Sequence, residues 1–302
     1  MISLSTSTFY QQTTGQIGSL RTEAEDLQRQ IGTGERLSRS SDDPVAAARL
    51  RTLARSERLA EIDQRNSDQA RSDLQMADDA LGSISNAIIK AQTLAMQAAN
   101  GTLNVDQRAA VGQEIAALRQ SLMDIANGRN GAGHALFGGQ AIGAAYEQSG
   151  TGVVYVGTAG VDPAAIGDGQ SVVPGLTGPE VFGLNVNGTD TDLFTVLGNL
   201  AAALQAGGDA TGAARDALSG LEAGLGKVTT AQTVVGARLG WIEVMDLRRE
   251  NTAERMTEEK AAVGGADLAT TMTRLQEVMT VLEASQASFV RLASLSLFDM
   301  LR

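Results

Sequence analysis

The sequence predicts a mainly α-helical chain with a small β-rich middle domain. Its N- and C-terminal segments are expected to form a long antiparallel helical bundle. Three observations predict this. Of four prolines, Pro163, Pro174 and Pro179 lie in the middle, and residues 45–162 and 180–302 contain none. Long helices are therefore permitted on both sides. Glycine agrees, because 16 of the 34 fall between residues 138 and 208. Apolar residues in the outer segments recur at alternating spacings of three and four, the signature of a coiled-coil seam.

The first seam runs Tyr10, Thr13, Ile17, Leu20, Ala24, Leu27 and Ile31, and Gly32 and Gly34 break it. Next comes SSDDPVAAARL, residues 40–50. Asp43 suits an N-cap and Pro44 the first helical position. A carboxylate there also meets the positive end of the helix dipole. The second seam is Leu74, Ala77, Leu81, Ile84, Ile88, Ala91, Ala95 and Ala98, ended by Asn100-Gly101. Asn104 with Gln107 reads as a capping box for a third helix carrying Val111, Ile115, Leu118, Leu122 and Ile125.

The middle reads as strands at Val153–Val156, Ser171–Val173 and Val181–Val186, bounded by Gly, Pro, Asn and Asp. Helical spacing then returns through Leu218, Leu221, Leu225, Val228, Gln232, Val235, Leu239 and Ile242. Gly264 and Gly265 interrupt it as a hinge. The last seam is Leu268, Met272, Leu275, Met279, Leu282, Gln286, Phe289 and Ala293. The expected segments are 1–34, 35–138, 139–208, 209–263 and 264–302, with the third β-rich and the rest helical. Periodicity does not say whether the terminal seams bury against this chain or against another.

Composition excludes several function classes. The net charge is -11, which argues against nucleic acid as the main partner, because neutralising phosphates takes a basic face. There is no cysteine, hence no disulfide, thiolate zinc site or cysteine nucleophile. No apolar run reaches the roughly 18 residues of a membrane span. The N-terminus has neither a basic n-region nor an apolar h-region, so an exported chain would need an uncleaved signal.

Candidate sites are few. Asp42 and Asp43 lack a nearby histidine, glutamate or second acidic cluster, so a cap and hinge at Asp42, Asp43 and Pro44 is expected in place of a metal site. His134, the single histidine, sits among glycine, alanine and amide in GRNGAGHALFGG and has no carboxylate partner in sequence. The glycines of that stretch lack a preceding strand or a following GK[ST], so they read as turns. Asp78-Asp79 and Glu258-Glu259 read as solvated helix faces. No nucleophile, base and orienter can be assembled, and no catalytic, metal or cofactor site is expected.

Several stretches carry a resemblance to the bacterial flagellin-like family. They are IGTGERLSRSSDDPVAAARL (31–50), NGTLNVDQRAAVGQEIAALRQSLMDIAN (100–127), GRNGAGHALFGG, VGARLGWIE (235–243) and ASLSLFDMLR (293–302). The resemblance covers both ends and is loose in the middle. It implies a non-enzymatic building block of the flagellum, exported without cleavage through the flagellar type III channel and located outside the cell. Terminal helices 1–34 and 264–302 are implied to be disordered before assembly and to form an inner tube afterwards.

Among members of the family, those joining hook to filament fit better than flagellin, the filament subunit, which stays as the alternative. The implied partners are hook-associated protein 1, flagellin, further copies of the chain in a ring-like layer, and an export chaperone on the C-terminal helix. Neither nucleic acid nor membrane is among them. Spacing and resemblance together nominate Ile17, Leu20, Leu27, Ile31, Leu275, Leu282, Phe289, Leu292 and Leu295 as assembly contacts. A helical signalling or translocator protein and an enzyme with a site in the middle are the rivals from other classes.

Overall fold

A computed structural model describes the backbone of residues 2–150, 152–186, 188–206 and 210–300, with side chains at 8 and within 10–291. The chain divides into two compact units, Met1–Arg58 with Asn251–Arg302, and Leu59–Glu250.

The first unit contains helix α1 (Ile2–Thr33) and helix α7 (Leu268–Met300), packed antiparallel. It also holds the start of α2 (Pro44–Ala99) and the end of α6 (Ala210–Gly264). Charges tie those two ends together. Lys260 Nζ lies 3.1 Å from Glu57 Oε1, and Arg49 pairs with Glu259. Glu259 is thus an ion-pair partner, not the simple solvated face expected of the Glu258-Glu259 pair.

The second unit is built on α2. Every residue of the seam from Leu74 to Ala98 is buried. Facing residues come from α3 (Val105–Ala126), α5 (Leu193–Ala206) and α6, including Ile115, Leu122, Leu197, Leu221, Val228, Val235 and Ile242. The capping box that opens α3 is present: Asn104 Oδ1 accepts from Gln107 N at 2.8 Å, and Gln107 Oε1 accepts from Asn104 N at 3.0 Å. Helices α3 and α5 approach closely at Gly112, where a Cβ would sit 3.1 Å from the Ala201 carbonyl.

Between α3 and α5 the described residues make three separate antiparallel hairpins: β1 (Tyr146–Ser149) with β2 (Gly152–Tyr155), β3 (Ala164–Gly167) with β4 (Gln170–Val172), and β5 (Gly183–Val186) with β6 (Thr189–Asp192). The region is less uniformly β than its turn residues suggested. Val181 and Phe182, read as strand, belong to a short helix α4 (Gly178–Phe182). Thr177 and Glu180 form its capping box, and Pro179 stands near its start. Helix α5 also lies here, and its proline-free run LFTVLGNLAAALQA was read inside the β-rich stretch.

A lone two-stranded hairpin is marginal in water, so each must dock on something. Two devices supply the docking. One is an aromatic cluster of Phe137, Tyr146, Tyr155, Phe182 and Phe194. Ring centroids are 4.9 Å apart for Phe182–Phe194 and for Tyr146–Phe194, and 5.8 Å for Phe137–Phe182. Burial in this cluster raises the Tyr146 phenol well above the ordinary tyrosine range. The other device is polar. Asn127 Oδ1 accepts from the Ala145 and Tyr146 amides, both at 2.9 Å, and its Nδ2 donates to the Tyr146 carbonyl at 2.9 Å. Arg249 donates to Gln64 Oε1, Asp246 Oδ1, Ser67 Oγ and the Ile166 carbonyl, at 2.6, 2.5, 2.9 and 2.8 Å.

Phe182→Ala should cost about 3–5 kcal/mol, because it removes the ring at the centre of the cluster and leaves a cavity. Urea denaturation followed by circular dichroism measures this. Val154→Ala, at an exposed position of β2, should change stability by less than about 0.5 kcal/mol.

Candidate assembly interface

The terminal pair is held by a seam of mixed character. On α1, Ala24 is buried and Tyr10, Ile17, Leu20, Leu27 and Ile31 are half-buried. On α7, Thr271, Val278 and Leu282 are buried and Leu275, Ser285 and Phe289 are half-buried. The antiparallel register is marked by Tyr10 edge-on to Phe289, with centroids 5.4 Å apart, and by Arg274 Nη2 at 3.0 Å from Glu23 Oε1.

The α7 seam differs in part from its sequence reading. Leu275, Leu282 and Phe289 lie in it, but Leu268, Met272, Met279 and Gln286 do not. Their places are taken by Thr271, Val278 and Ser285. Thr271 can be buried because its hydroxyl donates to the Asp267 carbonyl at 2.7 Å. Choosing the most apolar residue at each turn overlooked small residues, which let two helices approach. The side chains of Leu292 and Leu295 lie outside the described residues.

This shift leaves a second apolar flank on α7. Leu268 is 48% exposed, Met272 55%, Met279 37% and Val290 64%, all on one side of the seam. Within the pair only Ala24, Thr271, Val278 and Leu282 fall among the buried residues described. Two helices side by side cannot enclose a core, and most helix stability in proteins comes from such enclosure. An exposed apolar stripe of this kind makes the flank a candidate interaction surface.

The terminal pair joins the rest of its unit through two capped turns. Asp43 Oδ1 accepts from Ala46 N at 3.0 Å, and its carbonyl accepts from Ala47 N at 2.9 Å, which caps α2. Asp42 Oδ2 accepts from Arg39 N at 2.8 Å and Ser38 N at 3.2 Å, which closes the loop before the cap. Asp267 caps α7, accepting from Ala269 N at 3.1 Å and from the Thr270 hydroxyl at 2.7 Å. Gly34 takes φ +72 at the end of α1, a conformation that favours glycine. Gly265 N donates to Ala261 O at 2.8 Å, and a Cβ there would lie 2.4 Å from that oxygen.

Sequence reading missed Arg36. Its backbone N donates to Gly264 O at 2.8 Å. Its guanidinium donates to Val263 O at 3.0 Å and to Asp43 Oδ2 at 3.1 Å. No local pattern reveals a partner 227 residues away.

The remaining candidates carry no assembled chemistry. His134 is half-buried, its amide donates to Asn130 Oδ1 at 3.0 Å, and it sits in a turn. Asp78 and Asp79 are exposed. Among the described residues no three His, Asp or Glu side chains gather as a metal site.

Residues 4–141 match the family model for the bacterial flagellin N-terminal helical region. Over its length the chain is 28% identical to flagellar hook-associated protein 3 of Escherichia coli, with 98% of each covered. Residues 4–141 thus carry the flagellin N-terminal helical region, and the whole chain is similar to hook-associated proteins. Polar flagellin E of Vibrio parahaemolyticus is 30% identical over 126 residues, covering 42% of this chain and 34% of that one. A solved structure of a putative flagellar hook-associated protein from Vibrio parahaemolyticus shares the fold. Its TM-score is 0.69 at 22% identity, with 74% of this chain and 100% of that one covered. The expected fold class, mainly α with small antiparallel β elements, agrees with the structure and with this neighbour.

The hinge carboxyls are tuned by their contacts. Asp42 is held below its ordinary value of 3.8 chiefly by the Arg39 amide, Asp43 by the Ala46 amide and then Arg36, and Asp267 by the Thr270 hydroxyl. A lowered folded pKa means stability that is present above the ordinary value and is lost as pH falls through the lowered one. Carbon-detected NMR titration should therefore show all three midpoints below 3.8, with the Arg39, Ala46 and Thr270 amide shifts moving alongside. Asp42→Asn and Asp43→Asn should abolish the corresponding amide movements.

Proposed function

We propose that this chain is the junction protein between the hook and the filament of a bacterial flagellum. It adds onto hook-associated protein 1 at the growing tip, forms a ring-like layer of copies, and presents the surface on which flagellin polymerises. It reaches that tip through the flagellar type III export channel, without cleavage, escorted by a chaperone on α7. Its work is structural, as it is for the flagellar relatives it matches.

The observation that carries this reading is the terminal pair. Apolar residues line α7 on two flanks, and α1 covers only one. The second flank is satisfied when neighbouring copies complete the packing, so ordering and assembly are coupled. Ile17, Leu20, Leu27, Ile31, Leu275, Leu282 and Phe289 hold α1 against α7, and with Leu292 and Leu295 they are assigned to keeping that pair in the assembled state. The full-length match to a hook-associated protein supports junction over filament. The match to a flagellin is confined to part of the chain and is the observation that favours the alternative, the filament subunit itself.

A strain lacking this chain should show hooks without filaments by electron microscopy and shed flagellin into the medium. Retained filaments would refute the junction role. Leu282→Asp with Phe289→Asp should leave a soluble protein with an intact second unit but no incorporation into flagella. Purified protein should stay unpolymerised when seeded at high concentration, whereas a filament subunit would elongate.

A further inference from the structure

Helix α6 ends at Gly264, so no following turn supplies amides to the carbonyls of Val263 and Gly264. Such groups need partners from outside the helix. Neither is satisfied locally. The Arg36 guanidinium takes the Val263 carbonyl at 3.0 Å, and the Arg36 amide takes the Gly264 carbonyl at 2.8 Å. The exchange is returned one step on, where Ala266 N donates to the Gly34 carbonyl at 2.9 Å. Glu35 and Gly265 thus form an isolated antiparallel bridge. The same guanidinium reaches Asp43, whose other oxygen caps α2.

From these contacts we infer that residues 34–36 and 263–266 form a clasp, keyed by the Arg36 side chain, that makes the two hinges one cooperative element. The C-terminus of α6 is completed by the N-terminal loop. The start of α2 is braced by the same guanidinium. Neither hinge closes alone, so the leads into α1 and α7 are fixed together or released together. This concerns the hinge of the chain itself and does not depend on the junction reading.

Two amides report the clasp directly, because each donates across it: Arg36 N and Ala266 N. Hydrogen exchange followed by NMR on the full-length protein should show the two with matched protection. Arg36→Ala should lower protection at Ala266 by at least tenfold, although the substitution lies 230 positions away in sequence (266 less 36). Arg36→Lys keeps the charge near Asp43, but both contacts are made by Nη2 at the far end of the longer side chain, so the shorter lysine should give an intermediate loss. Gly265→Ala drives a Cβ to 2.4 Å from Ala261 O and should expose the Arg36 amide in return. Amides of Ile84 and Ile88, in the second unit, serve as the folding control and should keep their rates. Unequal protection of Arg36 and Ala266 in the parent protein would overturn the proposal. So would an Ala266 amide unaffected by Arg36→Ala while the controls hold. If Ile84 and Ile88 also lose protection in Arg36→Ala, the effect is global and a local clasp is likewise refuted.

Discussion

Burial of one face of α2 is the constraint on which the second unit rests. From Leu74 to Ala98 that face is closed to water, with Leu and Ile in its first half and alanines gathered towards its end. Large residues supply the area, roughly 25 cal/mol for each Å² removed from water. The alanines set how near α6 and α3 can come. Once these helices are placed, the hairpins have a rigid surface to dock on. Without it they would be three isolated two-stranded ribbons.

The same logic makes the first unit different in kind. Its α1–α7 pair has the periodicity of a coiled coil but not the enclosure of a bundle. Where the second unit buries whole turns, the pair leaves Met272, Val281 and Val290 in water. Apolar periodicity that one chain only half satisfies fits a subunit whose folding ends in an assembly. It also explains how a chain with 3% aromatic residues has a compact core at all: half of its ten rings, Phe137, Tyr146, Tyr155, Phe182 and Phe194, stand in one cluster.

The seam of α2, the Asn104 box and the Asp43–Pro44 start were legible in the sequence because each is written within a few residues. Spacing, cap and proline act locally, so local reading finds them. Helix α5 was hidden because its glycine-rich surroundings outweighed its own helical run. Val181 and Phe182 were misread because a β-branched residue beside an aromatic one suggests a strand, while the Thr177–Glu180 box that starts a helix stood unnoticed just before them. In the candidate interface, Leu275, Leu282 and Phe289 were found by size, and Thr271 and Ser285 were missed by it. Arg36, Asn127 and Arg249 were illegible for another reason. Their decisive partners lie beyond any local window, and nothing nearby signals those bonds.

The way the helices hold the middle segment has a consequence for how that segment can change. Arg249 grips the Ile166 carbonyl, Asn66 the Ala165 carbonyl, Arg238 the Gly175 carbonyl, Arg119 the Phe194 carbonyl, and Asn127 the backbone of Tyr146. All of these acceptors are main-chain groups, which every amino acid provides. Recognition of this sort is blind to side-chain identity wherever the aromatic cluster and Ile166 are not involved. The outward residues of the hairpins are therefore free to drift, or to be exchanged wholesale, while the frame keeps its grip. A chain built in this way can renew the surface it shows to its surroundings without rewriting the helices that carry it.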